Sequence, residues 1–126
     1  MNVDFPVFAQ EFGYGLCLHD SEIINAALSH RFRSAQVDMT WQLALHLAPG
    51  GTDNPDEGDY LYTVRFLDCG GSLDLFALIR NEIVDFQLEA VASGRLGATV
   101  TVLPHEDIHT FTCAAIEEVS LVPATP

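Results

Sequence analysis

The run His105-Glu106-Asp107-Ile108-His109 is the best candidate for metal chemistry in this chain. Side chains of an extended strand repeat every two residues, so His105, Asp107 and His109 would project from one face. Two imidazoles and a carboxylate suit zinc or non-haem iron, which makes one divalent transition metal the candidate cofactor. Pro104 and the polar residues after it equally describe a hairpin corner that binds no cofactor. His19-Asp20 is a second local pair, placed to act as acid and base or to hold a ligand. With Ser21, the same residues read as side chains bonding local backbone at a chain reversal. Gly70-Gly71-Ser72-Leu73 lacks the Gly-x-Ser-x-Gly frame of a nucleophile elbow, so Ser72 reads as a turn serine. No Gly-x-Gly-x-x-Gly fingerprint is present, and no catalytic residue set is assigned.

Charge excludes more than any motif includes. Asp and Glu number 18 against 5 basic residues, all arginine, for a formal charge of −13. The absence of lysine removes a P-loop nucleotide site, a Schiff-base nucleophile and a lysine general base. A surface this negative repels phosphate backbones and anionic membranes, so neither nucleic acid nor membrane is an expected partner. Three readings of the acidity follow: a solvated face, adaptation to a saline medium, or a patch that docks a basic protein. Among so few cations, Arg65 and Arg80 are expected in structural carboxylate pairs or as anchors for an anionic ligand.

At 126 residues the chain fits one β-rich domain over 1–126, and its 48% hydrophobic content opposes disorder. Cys17, Cys69 and Cys113 are odd in number and widely spaced, as reduced, mostly buried cysteines of a cytosolic protein would be. No basic leader with an apolar core and no run of about 18 apolar residues is seen, so a cytoplasmic location is expected.

The elements that must position these residues are mostly strands. Phe5, Phe8, Ala9 and Phe12 fall at helical spacing behind Pro6 and before Gly13, predicting a short amphipathic helix within 1–15 that packs on the core. From there the period is two. Ile24, Ala26, Leu28, His30 and Phe32 are expected on one face of a strand over 22–32. Over 35–47, Ala35, Val37, Met39, Trp41, Leu43, Leu45 and Leu47 alternate with polar or small residues, as a strand with one buried face does. An acidic loop at 52–59 precedes a strand at 60–67, with Tyr60, Tyr62 and Phe66 expected to pack across from Trp41. Residues 73–79 read as strand or helical turn. Further strands are expected at 83–91, 98–103, 108–114 and 116–122, with a β-bulge at Ala114-Ala115. The expected fold is mainly β: an antiparallel sandwich or strongly curved sheet of seven to eight strands with a short N-terminal helix.

Leu18-His19-Asp20-Ser21-Glu22-Ile23, then Val64-Arg65-Phe66-Leu67-Asp68 and Asn81-Glu82-Ile83-Val84-Asp85, occur in that order along the chain. This layout resembles small β-rich bacterial immunity proteins of polymorphic toxin systems and related uncharacterised domains. The resemblance spans about residues 16–122 and implies a non-catalytic protein that neutralises a toxin by binding it. No catalytic residues carry over. The first reading is therefore an acidic binding module docking a basic partner through Asp53, Asp56, Glu57 and Asp59 of the loop and Asp38, Asp85 and Glu89 on strand faces. The alternatives are a metal-dependent enzyme or ligand-binding barrel using His105, Asp107 and His109, and a domain that oligomerises through a strand edge.

Overall fold

A computed structural model describes residues 5–12, 18, 21–30, 33–47, 58–71, 78 and 81–123. The alternating segments become strands β1 (Glu22–His30), β2 (Val37–Leu47), β3 (Gly58–Leu67), β4 (Ile83–Ala90), β5 (Leu96–Val102), β6 (Asp107–Cys113) and β7 (Ala115–Pro123). Helix α1 (Pro6–Phe12) precedes them. All pairings are antiparallel, in one sheet ordered β1-β2-β3-β7 and a second ordered β4-β5-β6. The mainly β expectation holds: among the described residues, seven strands form the two sheets. The acidic loop over 52–57 and most of 73–79 lie outside the described residues; of the latter, Leu78 is buried.

Period two decides which side chains meet. Met39, Trp41, Leu43 and Leu45 of β2 are fully buried, while Thr40, Gln42 and Ala44 between them are partly exposed. Trp41 sits edge-on to Phe66 of β3 at 4.8 Å between ring centroids, and to Phe86 of β4 and Phe111 of β6 at 5.8 Å each. Phe66 meets Phe111 edge-on at 5.0 Å. These contacts join one sheet's inner face to the other's, which makes the architecture a sandwich. Each such pair adds about 0.5–1.5 kcal/mol beyond the apolar area it removes from water. Of the aromatics expected across from Trp41, Phe66 packs on it, Tyr62 is buried in the same core with its ring against Phe8, and Tyr60 is half-buried at the core's edge.

Two strands depart from strict alternation. The β1–β2 register slips between Ile23 and Asn25, so Ile23 is buried and Ile24 is exposed, against the expectation that Ile24 faces inward. A bulge inserts one residue and reverses the phase of what precedes it. Leu28, expected inside, is also largely exposed although it lies opposite buried Met39. β1 is the edge of the wider sheet, and the three-stranded sheet is too narrow to cover all of its inner face. A matching slip between Ile83 and Asp85 puts Ile83 in the core of β4.

The sheets are tied at two corners. At one, Ser21–Ile23 and Asn81–Ile83 exchange hydrogen bonds, Ile23 N–H to Asn81 O at 3.1 Å and Ile83 N–H to Ser21 O at 2.7 Å. At the other, the chain leaves the three-stranded sheet at the end of β6 and enters the four-stranded sheet as β7. The Ala114-Ala115 irregularity is therefore a transfer between sheets, where a bulge within one strand was expected. Gly70, just past β3, pairs reciprocally with Thr112 at 2.9 and 3.0 Å. These ties are single pairs, so the sheets do not close into a barrel.

Trp41→Ala is expected to lower the unfolding free energy by about 3–5 kcal/mol, because three aromatic contacts from both sheets converge where the cavity would open. Thr110→Ala on the exposed face should stay within about 0.5 kcal/mol. Urea unfolding monitored by circular dichroism compares the two directly.

Candidate functional site

The outer face of the three-stranded sheet is a polar surface with an acidic margin. Asp85, Gln87 and Glu89 project outward from β4, and all three are exposed. Register places Asp85 beside Thr101, Gln87 beside Thr99 and Glu89 beside Gly97 of β5. β6 continues the same rows with Ile108, Thr110 and Thr112. The result is an acidic margin, a central row of threonines, and Ile108, which is 67% exposed and the most exposed large apolar side chain among the described residues. Gln87 Nε2 donates to Asp85 Oδ2 at 2.8 Å. The ion pairs among the described residues engage Glu117 and Asp68, and neither involves Asp85 or Glu89.

The other sequence candidates divide. Asp38, expected on an exposed strand face, is only 7% exposed: its Oδ1 accepts Gln36 Nε2 at 3.0 Å and the Asp68 N–H at 2.9 Å. That carboxylate holds the chain after β3 against β2 and is removed from any docking surface by burial. Asp53, Asp56 and Glu57, like the His19-Asp20 pair, lie outside the described residues; Asp59 belongs to β3. Asp107 and His109 do share a face, opposite Val102 and Val100. His105, however, is exposed in the turn at 103–106, before the strand begins. Among the described residues, no three His, Cys, Asp or Glu side chains converge to hold a metal ion. His109 faces inward, and its Nε2 is buried with no hydrogen-bond partner among the described residues.

Sequence reasoning singled out Arg65 and Arg80 and passed over Arg95. Arg65 lies 3.7 Å from Glu117, half-exposed on both sides, a pair worth less than about 1 kcal/mol. Arg80 is outside the described residues. Arg95 instead organises the corner between the sheets, with Nη1 donating to Asp68 Oδ2 at 3.0 Å and Nη2 donating to Asp68 O at 2.5 Å and Thr112 Oγ1 at 3.4 Å. Asp68 takes a left-handed φ of 53°, which turns its carbonyl toward the guanidinium. Gly70 permits the closest approach here: a Cβ at that position would stand 3.0 Å from Thr112 Oγ1. Between Asp68 and Gly70, the half-buried Cys69 thiol donates to Phe66 O at 3.3 Å. Burial first, then the neighbouring Cys113, pushes its pKa up to about 11. Burial also raises Cys113, with Arg95 acting against the shift.

Glu118 is the second residue that the linear pattern did not reveal. It lies opposite buried Val64 and therefore on the core side of β7. Its Oε1 accepts the Val7 N–H at 3.0 Å, and its Oε2 accepts the Phe8 N–H at 2.9 Å and the Tyr62 hydroxyl at 2.6 Å. Pro6 opens α1 and Phe5 has no side-chain acceptor, so the free N–H groups of the first turn are capped from the far end of the chain. Phe8 packs against the Tyr62 ring at 5.7 Å. The helix thus fills the sandwich margin beside β7, and the polar node beneath it is structural.

Comparisons with protein-family models, curated proteins and solved structures returned no match.

Burial and then the Glu118 carboxylate hold the Tyr62 phenol well above its ordinary pKa of 10.0. The folded state therefore keeps a proton that the unfolded chain gives up. The stabilisation is complete below about pH 10 and is lost as pH rises beyond it. Tyr62→Phe should flatten the alkaline fall in stability between pH 10 and 12, measured by urea unfolding at each pH. Glu118→Ala, which strands three donors, is expected to cost on the order of 2–4 kcal/mol at neutral pH.

Proposed function

We propose that this protein is a non-catalytic binding module of immunity type that docks a basic protein partner, such as a toxin nuclease, through the outer face of the β4-β5-β6 sheet. The observation that carries the reading is the margin formed by Asp85 and Glu89, exposed in register beside uncharged threonines and Ile108. Two carboxylates on β4, without an ion pair among the described residues, and an apolar contact across the sheet on β6 combine long-range attraction with a surface that releases water when covered. The net charge of −13 extends the attraction over the whole molecule and would speed encounter with a cationic surface. Rows of carboxylates also imitate the spacing of charge that a nucleic-acid-binding enzyme is built to meet. The acidic residues Asp53, Asp56, Glu57 and Asp59 add charge at the β2–β3 connection and form the second arm of the test. The resemblance to immunity proteins supports the same class of partner.

The experiment is capture of partners from the host lysate at low salt, elution with high salt, and measurement of affinity for the purified basic protein. Asp85→Asn with Glu89→Gln is expected to weaken binding about tenfold, mostly through a slower association rate, and to reduce its salt dependence. Neutralising the four loop carboxylates should act in the same direction. An affinity that does not change between low and high salt would refute electrostatic docking. A loss confined to the loop variant would move the docking surface away from the sheet.

A further inference from the structure

Pairing between β3 and the β6–β7 segment breaks at Asp68, where φ is 53° and the Ala114 N–H bonds Leu67 O at 2.8 Å, and resumes beyond it. Val64 faces Glu118, Arg65 faces Glu117, Phe66 faces Ile116 and Leu67 faces Ala115. Three residues further along both chains, Gly70 faces Thr112 in the same register. Cys69 therefore stands opposite Cys113. Gly70 and Thr112 exchange both of their backbone hydrogen bonds, which makes the neighbouring cysteines a non-hydrogen-bonded pair. The Cys69 N–H confirms this by pointing the other way, to Val37 O on β2 at 2.6 Å. Antiparallel pairs of this kind hold their Cα atoms about 4.5 Å apart, inside the range a disulfide spans.

We propose that Cys69 and Cys113 form a redox site, a cross-strand dithiol that closes to a disulfide by exchange with a small-molecule disulfide such as oxidised glutathione and reopens under thiol reductant. Cys69 is the entry thiol, because it is half-buried whereas Cys113 is fully buried. Its thiolate attacks one sulfur of the oxidant, breaking that S–S bond and releasing one glutathione thiolate, which takes up a proton. The resulting mixed disulfide on Cys69 is attacked by the Cys113 thiolate, and the second glutathione leaves. The protein loses two electrons and two protons, and the oxidant becomes two thiols. Arg95 is the cation beside both steps among the described residues, tethered to Asp68 and Thr112, the residues that precede the two cysteines. Thr112 also ends a row of the sheet's outer face, so the closed bond would fix the corner on which that face is mounted. The site stands independently of the proposed docking function.

Reaction at neutral pH is expected to be slow, because both thiols are held protonated, so the test is run at pH 9 with the full-length native chain. The protein is equilibrated with oxidised glutathione, free thiols are alkylated, and the chain is cut with trypsin, which cleaves only after arginine here. Cys69 falls in the peptide 66–80 and Cys113 in 96–126, while Cys17 precedes Arg31. The expected result is a linked pair of 66–80 and 96–126, a mass lower by about 2 Da, and a Tm higher by about 10 °C, all reversed by dithiothreitol. Cys113→Ser should instead retain one glutathione on Cys69. Any of three results overturns the proposal: alkylation of both cysteines after equilibration, a link from either to Cys17, or a native chain that keeps glutathione on Cys69 without releasing it.

Discussion

The strand pair formed by residues 64–70 and 112–118 passes from one sheet into the other through an irregular step at Asp68 and Ala114, and the rest of the sandwich is arranged around it. Its first half belongs to the β3–β7 ladder, and its second half reaches the β6 edge of the other sheet. Two sheets joined by a bridge at the end of a shared strand pair resist sliding relative to each other. That fixed relation brings Phe66 and Phe111 edge-on and lets Trp41 reach rings from both layers. It also forces the backbone at Asp68 into a left-handed conformation, and Arg95 is the side chain that satisfies the turned carbonyl. A second, smaller tie between Ser21–Ile23 and Asn81–Ile83 limits rotation about the first.

A chain with five arginines and no lysine has few cations with which to satisfy buried or half-buried carboxylates. The structure answers with neutral donors. Glu118 is held by two backbone N–H groups and a phenol, and Asp38 by a side-chain amide and a backbone N–H. Both sets are charge-assisted bonds, about twice as strong as neutral ones, and the donors named are neutral groups. Arg95 is thereby available for the corner, and the carboxylates on the outer face of the three-stranded sheet stay without an ion pair to the described arginines. Electrostatic self-repulsion at this net charge works against compaction, and a large, aromatic-rich core offsets it.

Most strands were legible from period two alone, since burying one face of a sheet imposes it wherever the strand is regular. Met39, Trp41, Leu43 and Leu45 show this best, and β5 repeats it with Leu96, Ala98, Val100 and Val102. The readings that failed lie where regularity breaks. Ile24 and Ile23 exchange places at a bulge, and Leu28 is left outside because the facing sheet is one strand narrower. Asp38 looked exposed because it alternates with Val37 and Met39; it is buried because residues beyond β3 fold over it. His105 fell out of line with Asp107 and His109 because the chain is still turning there.

The sequence by itself determined the class of structure and the sign of the surface. Alternation, turn residues and composition are local properties, and they suffice to specify strands, a short helix and an acidic exterior. Only the tertiary structure decided which strands share a sheet, where the chain crosses between sheets, and which distant residues meet. Glu118 capping a helix that begins at Pro6, and Cys69 standing opposite Cys113, are consequences of register between segments far apart in the chain. Register depends on the summed packing of whole strands, and no short window of sequence carries that sum.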